Sequence, residues 1–201
     1  PNTLIVGDMP YMSYQVSPEQ AVASAGRIIK EAGADCIKME GGAYFAPYVE
    51  KIVATGIPVI GHIGLTPQSA SALGGFKVQG KTPEEAEQLI ADAKALDRAG
   101  VFAMVLECIP SGVAKVITES VDAVTIGVGA GPHVNGQNMN AYDILGLFEK
   151  FDPKFVEQYK NLAPEIIDGF STFTQSVKDG SYPEPGHCFT GGNEIVELYP
   201  H

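Results

Sequence analysis

The sequence predicts a parallel α/β fold built from one strand–loop–helix unit repeated along the chain. Three observations carry this. Five short apolar runs alternate with stretches of helical periodicity. The runs are apolar at consecutive positions, as a sheet covered on both faces requires. The helical stretches open with capping grammar or close at a glycine. The repeat is about 25 to 40 residues, which suits a barrel or a doubly wound sheet rather than a solenoid.

The elements follow in order. Residues 3–6 form the first strand, running into Gly7-Asp8-Met9-Pro10. Ser17 is placed to cap the next helix, with Pro18 first and Gln20 able to close a capping box. Ala21, Val22, Ala25, Ile28 and Ile29 supply its apolar face, and Gly33 its stop. Residues 35–39 are the second strand, ending in Glu40-Gly41-Gly42, and a helix spans 47–55. The third strand covers 57–62, and a polar, Gly-rich loop runs over 65–81. Thr82-Pro83-Glu84-Glu85 starts another helix, which ends at Gly100. The fourth strand covers 102–106, a helix 113–119 and the fifth strand 123–126. Further helices are expected at 140–147, 153–159 and 164–179, with an irregular tail from about 181. No composition shift breaks the chain earlier, so residues 1–201 read as a single domain.

Composition narrows the function. Thirteen basic against 24 acidic side chains leave a net charge of −11, which argues against a nucleic-acid partner and an anionic membrane surface. No window supplies the roughly twenty apolar residues of a membrane span. No signal peptide is visible. Cys36, Cys108 and Cys188 are far apart and odd in number, so they read as buried or idle thiols in a reducing compartment. The chain begins at Pro1 rather than Met, which reads as a processed front or part of a longer chain.

Ionisable residues gather just past the strand ends: Asp8, Lys38 with Glu40, His62, and Glu107. In a barrel those ends share one rim, where active sites are built. Lys38 and Glu40 are two apart and point to one side of a strand, as a structural ion pair or a catalytic pair. His62 lies between glycines, as a satisfied core histidine or a site residue. Glu107 leaves an apolar run and needs either a partner or a raised pKa. The carboxylates are hard oxygen donors suited to Mg²⁺, and no Cys/His group at zinc spacing accompanies them. Gly127-Val128-Gly129-Ala130-Gly131 is a tight turn or a phosphate-binding loop, and does not match the dinucleotide fingerprint.

Several blocks together resemble the ketopantoate hydroxymethyltransferase family. They are Asp8-Met9-Pro10-Tyr11-Met12, Lys38-Met39-Glu40-Gly41-Gly42, and Gly61-His62-Ile63-Gly64-Leu65-Thr66-Pro67-Gln68. Gly74-Gly75-Phe76-Lys77-Val78-Gln79-Gly80, Leu106-Glu107-Cys108-Ile109-Pro110 and the 127–131 block continue the match. It is strong over about residues 3–147 and weak in the tail. The resemblance implies a (β/α)8 TIM barrel of the phosphoenolpyruvate/pyruvate superfamily, seen here without its first two strands. It implies transfer of a hydroxymethyl group from 5,10-methylenetetrahydrofolate to 2-oxoisovalerate, forming ketopantoate for pantothenate biosynthesis with Mg²⁺. It implies Asp8 and Glu40 as metal ligands, Asp8, Lys38 and His62 as substrate contacts, and Glu107 as the acid/base. A cytoplasmic homo-oligomer, a decamer, also follows by resemblance.

Two departures stand out. The family's first strands carry a second metal-ligand Asp and a substrate-binding Ser, neither of which is in this sequence. Those strands would come from an omitted segment, a cleaved product or a separate N-terminal partner, without which the chain is an inactive fragment. Residues 138–142 also differ from the apolar residues and His usual there. The competing enzyme reading is a carbon–carbon lyase or mutase of the same superfamily that acts on a 2-oxo acid without folate.

Overall fold

The computed structural model describes residues 3–148 and 153–191. It divides into two compact units, Pro1–Met139 and Asn140–His201. In the first unit β1 (Val6–Asp8), β2 (Cys36–Glu40), β3 (Val59–Gly64), β4 (Ala103–Glu107), β5 (Val124–Val128) and β6 (Gly136–Gln137) pair in chain order. Every pairing is parallel. Each of the five predicted strands is present, displaced one to three residues toward its polar end. β6, two residues long, has no apolar run to announce it.

Between the strands lie α1 (Pro18–Ala32), α2 (Ala46–Ala54), α3 (Pro83–Arg98) and α4 (Ser111–Ser120). Their ends follow local chemistry. The Ser17 hydroxyl accepts from the Gln20 N–H at 3.2 Å. The Gln20 side chain, however, accepts from Val16 N–H rather than closing back on Ser17. Gly33 ends α1 at φ 68°, the left-handed conformation that costs glycine least. Thr82 and Glu85 form the complete capping box that their spacing predicts.

Register explains both which face the helices cover and where the site lies. Ile37 pairs with Val59, Met39 with Gly61, Gly61 with Met104, and Ile63 with Leu106. The apolar members of this set pack with Ala21 and Ala25 of α1, Val49 and Ile52 of α2, Leu89 and Leu96 of α3, and Ile117 of α4. All four helices therefore cover one face of the sheet. A doubly wound sheet would divide them between two faces, so the choice falls to the arc of a barrel. The opposite face carries a smaller apolar cluster of Cys36, Ile60, Ala103 and Val105, with Ile126 and Val128 against it.

The second unit holds α5 (Ala141–Ile144) and α6 (Ala163–Asp179). The helix expected over 140–147 shrinks to one turn because Gly146 turns left-handed at φ 62°. The helix expected over 153–159 does not form. The N–H groups of Tyr159 and Lys160 bond the Ile144 carbonyl, and Leu162 N–H bonds Leu145. Those bonds take backbone donors at the end of this stretch away from local helical pairing. α6 ends at Gly180, near its expected limit. The tail from 181 holds one short helical turn, Pro185–His187, and the rest of the tail reading, 192–201, lies outside the described residues. Among the described residues no helix is long and apolar enough to cross a membrane.

Candidate active site

Alternation along a strand sends every second side chain to the same face. On the face away from the helices, β2 presents Cys36, Lys38 and Glu40, β3 presents Ile60 and His62, and β4 presents Ala103, Val105 and Glu107. Asp8 of β1 pairs with Lys38 and shares this parity. The apolar members form the floor, and the ionisable ones stand above it at the strand ends. Asp8, Lys38, Glu40, His62 and Glu107, singled out from sequence, thus occupy one side of one sheet.

Their contacts form a chain across four strands. Lys38 Nζ lies 2.9 Å from Asp8 Oδ1 and 3.4 Å from His62 Nδ1. His62 Nδ1 is 3.9 Å from Glu40 Oε1, and Nε2 is 3.0 Å from Glu107 Oε2. Of the two readings for Lys38 and Glu40, a direct ion pair is absent among the described residues: the lysine turns to Asp8 on the neighbouring strand instead. His62 is not a satisfied core histidine. Its Nε2 is buried and, among the described residues, makes no hydrogen bond, although Glu107 Oε2 lies 3.0 Å away. Glu107 has His62 Nε2 as its near neighbour, at 3.0 Å.

Glu40 is 4 % exposed, and burial pushes its carboxyl above the usual range. The Gln68 main-chain N–H, at 2.9 Å from Oε2, and the charges of His62 and Lys38 oppose that shift. Two residues without an assigned role in the sequence reading belong to this environment. Gln68 also reaches the Met9 carbonyl through Nε2 at 2.8 Å, and Tyr14 bonds Glu40 main-chain groups through its hydroxyl. Gln68 stands in the Leu65-Thr66-Pro67-Gln68 block, which marked it; Tyr14 lies in a loop with no periodic signal.

The donor set can be tested against a divalent cation. Asp8 and Glu40 offer hard carboxylate oxygens on one face; among the described residues Glu40 has no cationic side chain within hydrogen-bonding distance, whereas Asp8 Oδ1 is held by Lys38 Nζ at 2.9 Å. Mg²⁺ asks a protein for one or two carboxylates and completes its shell with water and substrate oxygens. Among the described residues no three or more His, Cys, Asp or Glu gather where they could hold a metal by themselves. Asp8 and Glu40 therefore fit Mg²⁺. In the 127–131 block, Gly129 and Gly131 are left-handed, and a side chain on Gly131 would overlap Ser111. The turn reading accounts for these glycines.

Two of the three thiols, Cys36 and Cys108, are held unreactive by their setting. Burial, reinforced by the adjacent Glu107 charge, pushes Cys108 up to about 11. Burial also raises Cys36, whereas Cys188 is exposed. At pH 8, about one Cys108 in a thousand is then thiolate, the reactive form. An aromatic disulfide reagent at pH 8 is expected to titrate Cys188 rapidly and to spare Cys36 and Cys108 until denaturant is added. Rapid reaction of all three in the folded chain would contradict this.

Comparisons with known proteins bear on the family of the chain. The family model described as ketopantoate hydroxymethyltransferase matches residues 1–185. The chain is 51% identical over 199 residues to the 3-methyl-2-oxobutanoate hydroxymethyltransferase of Heliobacterium modesticaldum, covering 99% of this chain and 72% of that one. It is 48% identical to the protein of the same name from Syntrophomonas wolfei, over 98% of this chain and 71% of the relative. A solved structure from Burkholderia cenocepacia, described as a candidate phosphonomutase, aligns with a TM-score of 0.51 at 12% identity. It covers 89% of this chain and 70% of that one, and shows likeness of fold alone. A family model spanning most of the chain, together with relatives half identical along nearly its whole length, places it: the chain belongs to the ketopantoate hydroxymethyltransferase family.

Proposed function

We propose that this chain transfers a hydroxymethyl group from 5,10-methylenetetrahydrofolate to 2-oxoisovalerate, forming ketopantoate for pantothenate biosynthesis. The observation that carries this is the run of Asp8, Lys38, Glu40, His62 and Glu107 on the helix-free face of one sheet. In this reading the arc belongs to a (β/α)8 barrel of the phosphoenolpyruvate/pyruvate superfamily whose first two strands lie before residue 1. It works as a cytoplasmic homo-oligomer, a decamer by family likeness, complete once that N-terminal segment is supplied.

The chemistry needs a proton removed from the carbon beside a ketone, and then a new carbon–carbon bond to the one-carbon unit. Asp8 and Glu40 would hold Mg²⁺, which when bound polarises the keto acid's carbonyl. Lys38, between Asp8 and His62, brings a positive charge to the keto acid's carboxylate. Glu107 takes the proton from C3. His62 Nε2 lies 3.0 Å from the Glu107 carboxylate, and in this reading the imidazole contacts the keto acid. Water adds to the donor's methylene carbon as that carbon leaves N10 and then N5, giving formaldehyde and tetrahydrofolate. C3 then adds to the formaldehyde carbon, and its oxygen takes up the proton held by Glu107 as the new hydroxyl, so tetrahydrofolate and ketopantoate are the products.

The test is product analysis with 2-oxoisovalerate, 5,10-methylenetetrahydrofolate and Mg²⁺, each omitted in turn. Ketopantoate is expected only in the complete mixture. Turnover of the 2-oxo acid without folate would favour the lyase or mutase reading instead. Activity appearing only after the N-terminal segment is restored would identify this chain as an incomplete part.

A further inference from the structure

We propose that Gln68 is a positioning residue that latches the loop after β3 to the site and holds the Glu40 carboxylate in place. The catalytic part of this inference rests on the function proposed above. The loop over 65–82 is already pinned at both ends to the end of β4. Leu65 N–H donates to the Glu107 carbonyl at 2.8 Å, and Gln79 N–H donates to the Cys108 carbonyl at 2.9 Å. Between these pins, Gln68 makes the contacts that turn the loop toward β1 and β2. Its main-chain N–H donates to Glu40 Oε2 at 2.9 Å. Its Nε2 donates at 2.8 Å to the carbonyl of Met9, the residue after Asp8. Its Oε1 shares the Tyr14 hydroxyl proton with the Glu40 carbonyl, at 3.1 and 3.2 Å, and accepts from Gln15 Nε2 at 3.3 Å.

This pattern assigns the amide's orientation, because the Met9 carbonyl needs a donor and the Gln15 amide needs an acceptor. Tyr14 is 1 % exposed, and its ring meets Phe45 edge-on at 5.4 Å, so its hydroxyl is a fixed point. That hydroxyl also accepts from Glu40 N–H at 3.2 Å. The short helical turn Pro67–Ser69 holds the Gln68 main chain, with Ser69 N–H donating to Thr66 at 2.9 Å. One side chain therefore joins the segment carrying Asp8 to the loop whose N–H holds Glu40. Partners of this kind set the orientation of the groups that meet metal or substrate, and losing one commonly costs about 10- to 100-fold in metal affinity or activity.

The test compares Gln68→Ala, Gln68→Glu and Tyr14→Phe by hydrogen exchange of the substrate-free protein and by steady-state kinetics. With Gln68→Ala, exchange over 65–82 is expected to quicken about tenfold or more, while β2 to β5 and the melting temperature hold. In parallel kcat falls by about 10- to 100-fold, and the KM for the keto acid moves less. Gln68→Glu does at least as much damage, since it sets an oxygen against the Met9 carbonyl and a charge near Glu40. Tyr14→Phe, which keeps the ring, gives a smaller loss in the same direction. Unchanged exchange over 65–82 with unchanged kcat overturns the proposal. So does a loss of kcat that tracks a lowered melting temperature and faster exchange throughout the sheet. If the loop loosens as expected but the unaltered protein makes no ketopantoate, the latch stands and the proposed activity is what fails.

Discussion

Glu107→Gln is expected to lower kcat for ketopantoate formation by about 10² to 10⁴, the usual range for removing a general base. The substitution keeps the side chain's size, and its amide oxygen can still face His62 Nε2, now 3.0 Å from the carboxylate. Keto-acid binding and folding should therefore change little, and the loss should fall on kcat rather than KM. The direct measurement follows the proton. In D2O the unaltered enzyme should exchange the C3 hydrogen of 2-oxoisovalerate, visible by NMR without the folate donor. Glu107→Gln should leave that hydrogen in place. Exchange at an undiminished rate would remove Glu107 from the base's role and return attention to His62.

Gly64→Ala should be the most damaging single-methyl addition in the sheet. Gly64 closes β3 at φ 90°, in the region that favours glycine, and pairs with Glu107. A methyl group there would overlap the Glu107 carbonyl oxygen and come within 2.7 Å of Ile109 Cγ2. The carbonyl has little freedom to retreat, because it also accepts the Leu65 N–H at 2.8 Å. Overpacking costs about 1–3 kcal/mol and a left-handed non-glycine residue about 1–3 kcal/mol, so a loss of roughly 3 kcal/mol or more is expected. Denaturant unfolding measures it. Gly112→Ala, where an added methyl meets nothing and which lies within α4, serves as the comparison and should hold or gain stability. Equal stability of the two variants would show that the sheet can yield at Gly64.

The two cases mark what the sequence discloses about this site. Lys38 and Glu40 are two apart in one strand, so their shared face is visible from spacing alone. His62 and Glu107 are legible because each interrupts or ends an apolar run. The pairing among them is not legible. Lys38 meets Asp8 rather than Glu40, a consequence of register between strands separated by a whole helix. Tyr14 and Gln68 act from loops, where no periodicity shows which way a side chain faces. The same boundary separates the well-read helices from the stretch over 153–159. There the N–H groups of Tyr159 and Lys160 find a carbonyl fifteen residues or so upstream, which a local pattern cannot report.

The alternation that gathers the ionisable groups also dictates which changes in chain length the family can survive. Deleting or inserting one residue inside β2, β3 or β4 reverses every later side chain in that strand. Glu40, His62 or Glu107 would swing into the layer of Ile52, Leu96 and Ile117, and an apolar neighbour would face the substrate. Two residues gained or lost restore the face but shift the group by about 7 Å along the sheet. Gaps among relatives should therefore fall in the loops and helix ends and be purged from these three strands, even where individual strand residues are freely exchanged.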